Sequence, residues 1–183
     1  RIARLNTDGT RDTTFVPGTG FDNTVNAVAF DGTTTGATAS TIVLGGAFTS
    51  FNGSAANVAN RLVRLTSLGA LDTTFVTGTG PNGTVNCVAY DSANSRWLIG
   101  GSFTAYNGSS TAYNSLIRVS AAGAHDTTFN PNVNSTVNCA FVQSSDAAVV
   151  FGGFFSTVGN QLVRSLSRVS AAGAFDTTVN VGF

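Results

Sequence analysis

Few residues in this chain could do chemistry. The one histidine, His125, sits beside Asp126, the pairing that begins a Ser-His-Asp triad or a metal site. Asn6-Thr-Asp8-Gly9-Thr-Arg-Asp12 alternates oxygen ligands ahead of a turn glycine, as a calcium loop does. Gly78-Thr-Gly80-Pro-Asn-Gly83 spells the glycine pattern of a dinucleotide-binding turn. Cys87 and Cys139 supply two thiols, and Tyr106, Asn107 and Tyr113 mark an Asn/Ser/Gly-rich segment of the kind that contacts glycans or proteins.

Internal repetition disposes of most of these. Asp-Thr-Thr begins at Asp12, Asp72, Asp126 and Asp176, each with an arginine eight residues upstream (Arg4, Arg64, Arg118, Arg168) and a glycine three upstream. The position of His125 is held by Arg11, Leu71 and Phe175 in the other copies, and that of Asp8 by Leu68, Ala122 and Ala172. Neither the triad nor the calcium reading survives that variation, and the position of His125 is expected to be exposed. The Gly78–Gly83 stretch leads into an alternating segment rather than a helix, so the helix dipole that holds a pyrophosphate is missing. No catalytic residue, cofactor or metal ligand is assigned.

What recurs is a hairpin. A three-residue loop with Gly9 in the left-handed region places Arg4 across from Asp12. The same register pairs Arg64 with Asp72, Arg118 with Asp126 and Arg168 with Asp176. These four pairs are expected to be structural clasps. Removing one partner should cost roughly 3–5 kcal/mol if the pair is buried and under about 1 kcal/mol if it is exposed.

The elements that carry the clasps are strands. Thr24 to Phe30, Thr84 to Tyr90 and Thr136 to Val142 alternate and open on Thr-Val-Asn. Thr41 to Phe48, Arg96 to Phe103 and Ala147 to Phe154 are near-continuous apolar runs, expected of strands buried on both faces. Arg61–Leu65, Leu116–Val119 and Leu166–Val169 form a third strand, and Asp-Thr-Thr-Phe a short fourth. Gly-Gly recurs at Gly45, Gly100 and Gly152, where strands can approach closely. Phe15, Phe75 and Phe129, with Phe48, Phe103 and Phe154, are expected to pack between units, and Trp97 in the core. Cys87 and Cys139, both following Thr-Val-Asn, are expected to be buried and reduced. Asp31-Gly32 and the Thr-rich stretch to Ser40 read as a surface loop.

Composition agrees and excludes more. The chain has 183 residues, 42% hydrophobic and only 10% charged. All nine cations are arginine and all nine anions aspartate, with no Lys, Glu or Met. Loss of helix-favouring Lys and Glu in favour of Thr, Asn and Gly points to β-structure with many turns. Zero net charge and no basic run argue against nucleic acid. The longest apolar run, Ala147 to Phe155, is too short to span a membrane. An opening Arg1 reads as a processed product or a piece of something longer. Sequons at Asn52, Asn82, Asn107 and Asn134 are expected by chance in so Asn- and Thr-rich a chain.

In order and spacing, R-[LV]-x-x-x-G-x-x-D-T-T, T-V-N and G-G-x-F resemble the delta-60 repeat family of β-propellers, over essentially the whole chain. The resemblance implies an all-β, propeller-type repeat domain with three four-stranded blades and a partial one. The boundaries are 1–23 for the end of a preceding blade, then 24–83, 84–135 and 136–183. A β-trefoil is the alternative, since it too has three units of four strands. Members of the family occur in large secreted bacterial proteins and in phage virions. The expected function is thus a non-catalytic structural or binding module of an extracellular assembly, foremost a phage tail or fibre component. The alternative is a carbohydrate- or protein-binding module of a secreted bacterial surface protein. Expected partners are other copies of the chain, neighbouring virion or surface proteins, and a cell-surface glycan bound through Tyr106, Asn107 and Tyr113. Neither nucleic acid nor membrane insertion is expected.

Overall fold

A computed structural model of the chain describes residues 2–32, 41–53, 60–109 and 114–179. Tyr113 and the Thr-rich stretch from Thr33 to Ser40 lie outside them.

The described residues form antiparallel strands and turns. The first unit holds β1 (Val25–Phe30), β2 (Ile42–Gly46) and β3 (Leu62–Leu65). The second holds β4 (Val85–Asp91), β5 (Arg96–Gly101) and β6 (Leu116–Ser120). In the third, β7 (Val137–Val142) and β8 (Val149–Gly153) pair with β11 (Leu166–Val169). A small hairpin of β9 (Thr157–Val158) and β10 (Gln161–Leu162) lies between β8 and β11. Each unit thus closes its own sheet with the apolar second strand in the middle, as the continuous runs required. The β-trefoil alternative falls here, because the units are separate sheets stacked face to face.

The fourth strand is shorter than expected. It contributes one bridged residue, as in Leu5↔Arg11, Leu65↔Leu71, Val119↔His125 and Val169↔Phe175. Asp-Thr-Thr after it is a turn.

Alternation along each strand sends side chains to both faces, and the first two sheets are covered on both. Val43 and Leu62 of the first unit pack against Trp97, Ile99 and Ile117 of the second. Leu98 and Leu116 pack against Val149, Phe151 and Val169 of the third. The opposite face of the first unit, with Leu44, Val63 and Leu65, is covered by Phe15, Phe21, Phe48 and Phe51. Phe155, not Phe154, joins Phe48 and Phe103 in the core. Phe154 is exposed, because the aromatic slot lies two residues past the glycine pair.

The second glycine of each pair has a steric reason. A Cβ on Gly46, Gly101 or Gly153 would lie 2.1 Å from the carbonyl oxygen of Thr24, Thr84 or Thr136. The first glycine is where the next unit arrives. A Cβ on Gly45 would meet Val85 Cγ1 at 2.2 Å, and one on Gly100 would meet Val137 Cγ1 at 2.8 Å.

Candidate functional site

The residues the sequence singles out lie along the joints between units. In the first hairpin, Gly9 N–H donates to the Asn6 carbonyl at 3.0 Å and Gly9 has φ +85°. Arg4 and Asp12 then face each other, with Asp12 N–H donating to the Arg4 carbonyl at 2.9 Å. Arg4 Nε donates to Asp12 Oδ2 at 2.7 Å, Arg64 Nε to Asp72 Oδ2 at 2.8 Å, and Arg118 Nε to Asp126 Oδ2 at 2.8 Å. Arg168 pairs with Asp176 through a terminal nitrogen.

Each aspartate divides its labour. While Oδ2 takes the arginine, Oδ1 accepts from the backbone N–H and hydroxyl of the second threonine, as in Asp12 with Thr14 at 2.8 and 2.6 Å. That is why Asp-Thr-Thr recurs as a unit. Those bonds set the acidity. Thr14, then Arg4, hold the Asp12 carboxyl down at about 2. Partial burial works against ionisation of Asp126, but hydrogen bonds from Thr128 and Arg118 outweigh it and hold that carboxyl at about 2 as well.

The arginines reach further than the hairpin. Arg4 also donates to the Ser67 carbonyl, Arg64 to that of Ala121, and Arg118 to that of Ala171, each in the next unit. Their guanidinium carbons lie 5.1, 5.1 and 4.6 Å from the ring centroids of Phe15, Phe75 and Phe129. Arg168 departs from the series, with Gln143 Oε1 at 2.6 Å and an ion pair to Asp146. Its sequence equivalent of Phe129 is Val179.

Sequence reasoning missed a second stitch. The pairing of first and second strands shifts register across Asn26, Asn86 and Asn138, so each asparagine is the extra residue of a β-bulge. Asn26 Nδ2 donates to the Val85 carbonyl at 3.0 Å and Asn86 Nδ2 to the Val137 carbonyl at 3.1 Å. The recurrence of Thr-Val-Asn was the available signal.

The ligand-contact residues do not gather on the surface. Tyr106 is 1% exposed, its hydroxyl donates to the Gly123 carbonyl at 2.7 Å, and burial pushes its pKa well above the usual phenol range. It fills the slot of Phe51 and Val158 and is a core residue, which corrects the contact role. Asn107 is exposed in the left-handed region (φ 51°), with Oδ1 accepting from Thr79 N–H at 3.1 Å.

His125 is half-buried rather than exposed, its ring 5.5 Å from that of Tyr106, and burial lowers its pKa against the pull of Asp126. Cys87 is half-buried and held up at about 12 by burial and then by Cys139, whereas Cys139 is exposed. Both are free thiols. Among the described residues, no three His, Cys or Asp side chains cluster to hold a metal, and no helix is long and apolar enough to cross a membrane.

A family model described as "Domain of unknown function (DUF5122) beta-propeller" matches residues 1–15, 41–75 and 93–129. The chain carries repeats of this β-propeller family. The matched segments span the clasp hairpins of the first three copies and the central strands of the first two blades. No curated protein matches the chain.

Proposed function

We propose that the chain is a non-catalytic structural or binding module of an extracellular assembly, foremost a phage tail or fibre component. One observation carries this reading. The recurrent polar side chains act between blades instead of converging on a cleft: Arg4, Arg64 and Arg118 each bind a carbonyl of the next blade, as do Asn26 and Asn86. Hydrogen bonds satisfied inside a scaffold stabilise it and leave little to polarise a substrate. A surface without Lys or Glu, stiffened by tight turns, suits a particle that persists outside cells.

Immunogold labelling of the source culture tests the proposal. Label on virions or the cell envelope is the expected result, and label confined to the cytoplasm would overturn it. The glycan-binding alternative has lost Tyr106 to the core and rests on the segment around the exposed Asn107. Saturable binding on a glycan panel, reduced in Asn107→Ala, would favour it.

A further inference from the structure

The joint between the first and second blades is held by an arginine that the joint between the second and third lacks. Arg61, just before β3, crosses to the second blade, where its Nη1 donates to the Pro81 carbonyl at 3.0 Å. The same nitrogen donates to Asn60 Oδ1 at 2.8 Å, and Asn60 Nδ2 is braced on the Thr79 carbonyl at 2.7 Å. Among the described residues Arg61 makes no ion pair. Amide and carbonyl oxygens hold its guanidinium there.

The second joint keeps the asparagine and loses the arginine. Asn114 and Ser115 stand in the places of Asn60 and Arg61. Arg61 and Ser115 share the left-handed region, at φ 62° and 60°, so the backbone at Ser115 is already shaped as it is at Arg61. Here the structure has a pocket of about 250 Å³, lined by Ser102, Phe103, Thr104, Asn114, Ser115 and residues 134–136. The counterparts of Ser102 and Ser135 at the first joint are Ala47 and Gly83, so hydroxyls enter where the guanidinium is lost.

These polar groups are not spent on one another. Among the described residues, the side chains of Ser102, Asn114, Ser115 and Ser135 make no hydrogen bond. Asn114 lacks the brace of Asn60 because the Pro131 carbonyl, in the place of Thr79, accepts from Gly159 N–H at 3.0 Å. The carbonyl of buried Val133, in the place of Pro81, accepts from no described residue. A buried main-chain acceptor without a donor is rare and costly.

The chemistry of the pocket selects what would fill it. No cationic side chain lines it, so an anion would find no charge partner. A guanidinium spreads its charge over five N–H donors and is more weakly hydrated than an ammonium, so neutral oxygens can hold it. The first joint holds one in that way.

We propose that the pocket of the second joint binds a guanidinium group carried by another molecule, with Asn114 in the role of Asn60 and the Val133 carbonyl in that of Pro81. The hydroxyls of Ser102, Ser115 and Ser135 take its remaining donors. One joint thus carries its guanidinium in the chain, and the other accepts it from outside. The site is independent of the extracellular reading above.

Titration of ethylguanidinium chloride into the isotope-labelled chain, followed by nuclear magnetic resonance, tests it. Saturable shifts of the Asn114 side-chain amide and of Ser115 and Ser135 are expected at millimolar concentration, as suits a ligand of so few atoms. Ethylammonium at the same ionic strength should move them several-fold less. Ser115→Arg should fill the pocket from within, raise Tm and abolish the shifts. Arg61→Ser covers the case in which that variant does not fold: it should lower Tm and add a second set of saturable shifts at Asn60. Free arginine amide and acetyl-Gly-Arg-Gly-amide separate the sources. Equal affinity assigns the group to a small molecule, tighter binding of the peptide assigns it to a protein side chain, and either agrees with the site. A wild-type chain without saturable shifts would overturn the proposal. Equal shifts with ethylammonium, or binding unaltered in a folded Ser115→Arg, would do so too.

Discussion

Asp126→Asn is the sharpest probe of how the blades are held. The substitution keeps an oxygen for Thr128, whose N–H and hydroxyl lie 3.1 and 2.5 Å from Oδ1. It turns Oδ2 into an amide facing Arg118 Nε at 2.8 Å and Arg96 Nη1 at 3.3 Å. Arg118 has only 7% of its side chain exposed, so its charge is stranded, while the 17% exposure at Asp126 admits some water. Stranding a fully buried partner costs roughly 3–5 kcal/mol and an exposed pair is worth under about 1. Arg118 also keeps the Ala171 carbonyl and the Phe129 ring, which places the expected loss at about 2 kcal/mol. In a domain of this size that lowers Tm by about 4–8 °C. The assay is thermal and urea unfolding at neutral pH, with Arg118→Leu and the double variant completing a cycle. Asp12→Asn should cost less, since Arg4 is 35% exposed. An unchanged midpoint for Asp126→Asn, or strictly additive single effects, would refute the clasp as a buried ion pair.

The same carboxylates set an acid limit. Asp12 and Asp126 are held at about 2, below the unfolded value of about 3.9, so the unfolded chain binds more protons between those pH values. Their stabilisation should be complete above about pH 4 and lost as pH falls toward 2; a urea midpoint that stays level down to pH 2 would contradict this. Gly101→Ala should fail to yield folded protein, because its Cβ would sit 2.1 Å from the Thr84 carbonyl oxygen; soluble protein with the wild-type Tm would disprove that approach. Ser167→Val removes a buried hydroxyl that has no partner and should stabilise the single chain by about 1 kcal/mol, read as a higher urea midpoint. Tyr106→Phe strands the Gly123 carbonyl and should cost about 1 kcal/mol, so an unaltered midpoint would show that bond to be worthless.

Much of the fold could be read because its decisive contacts are close in sequence. An arginine and an aspartate eight apart around a glycine loop have one geometry open to them, and it repeats four times. Long-range features were less legible. Tyr106 sits among Asn, Ser and Gly and so looked exposed, yet its equivalents Phe51 and Val158 are buried; comparison across repeats held more information than local polarity. Two adjacent phenylalanines make Phe154 and Phe155 hard to tell apart in the sequence, and it is Phe155 that is buried. Cys139 was expected to share the environment of Cys87, and the two differ because the second blade has a neighbour against its outward face and the third, among the described residues, has none. The carbonyl acceptors of Arg4, Arg64 and Arg118 could not be read at all, since a main-chain oxygen leaves no trace in residue type.

That anonymity has an evolutionary side. Ser67 accepts the same main-chain hydrogen bond as Ala121 and Ala171 despite its different side chain, so the receiving half of each joint places little demand on the residue that carries it. A gene segment encoding one unit can be duplicated, deleted or exchanged, and its donors will still find acceptors in whichever unit comes next. Joints built from paired side chains would have to mutate together; joints built on carbonyl oxygens free the copies to diverge one at a time.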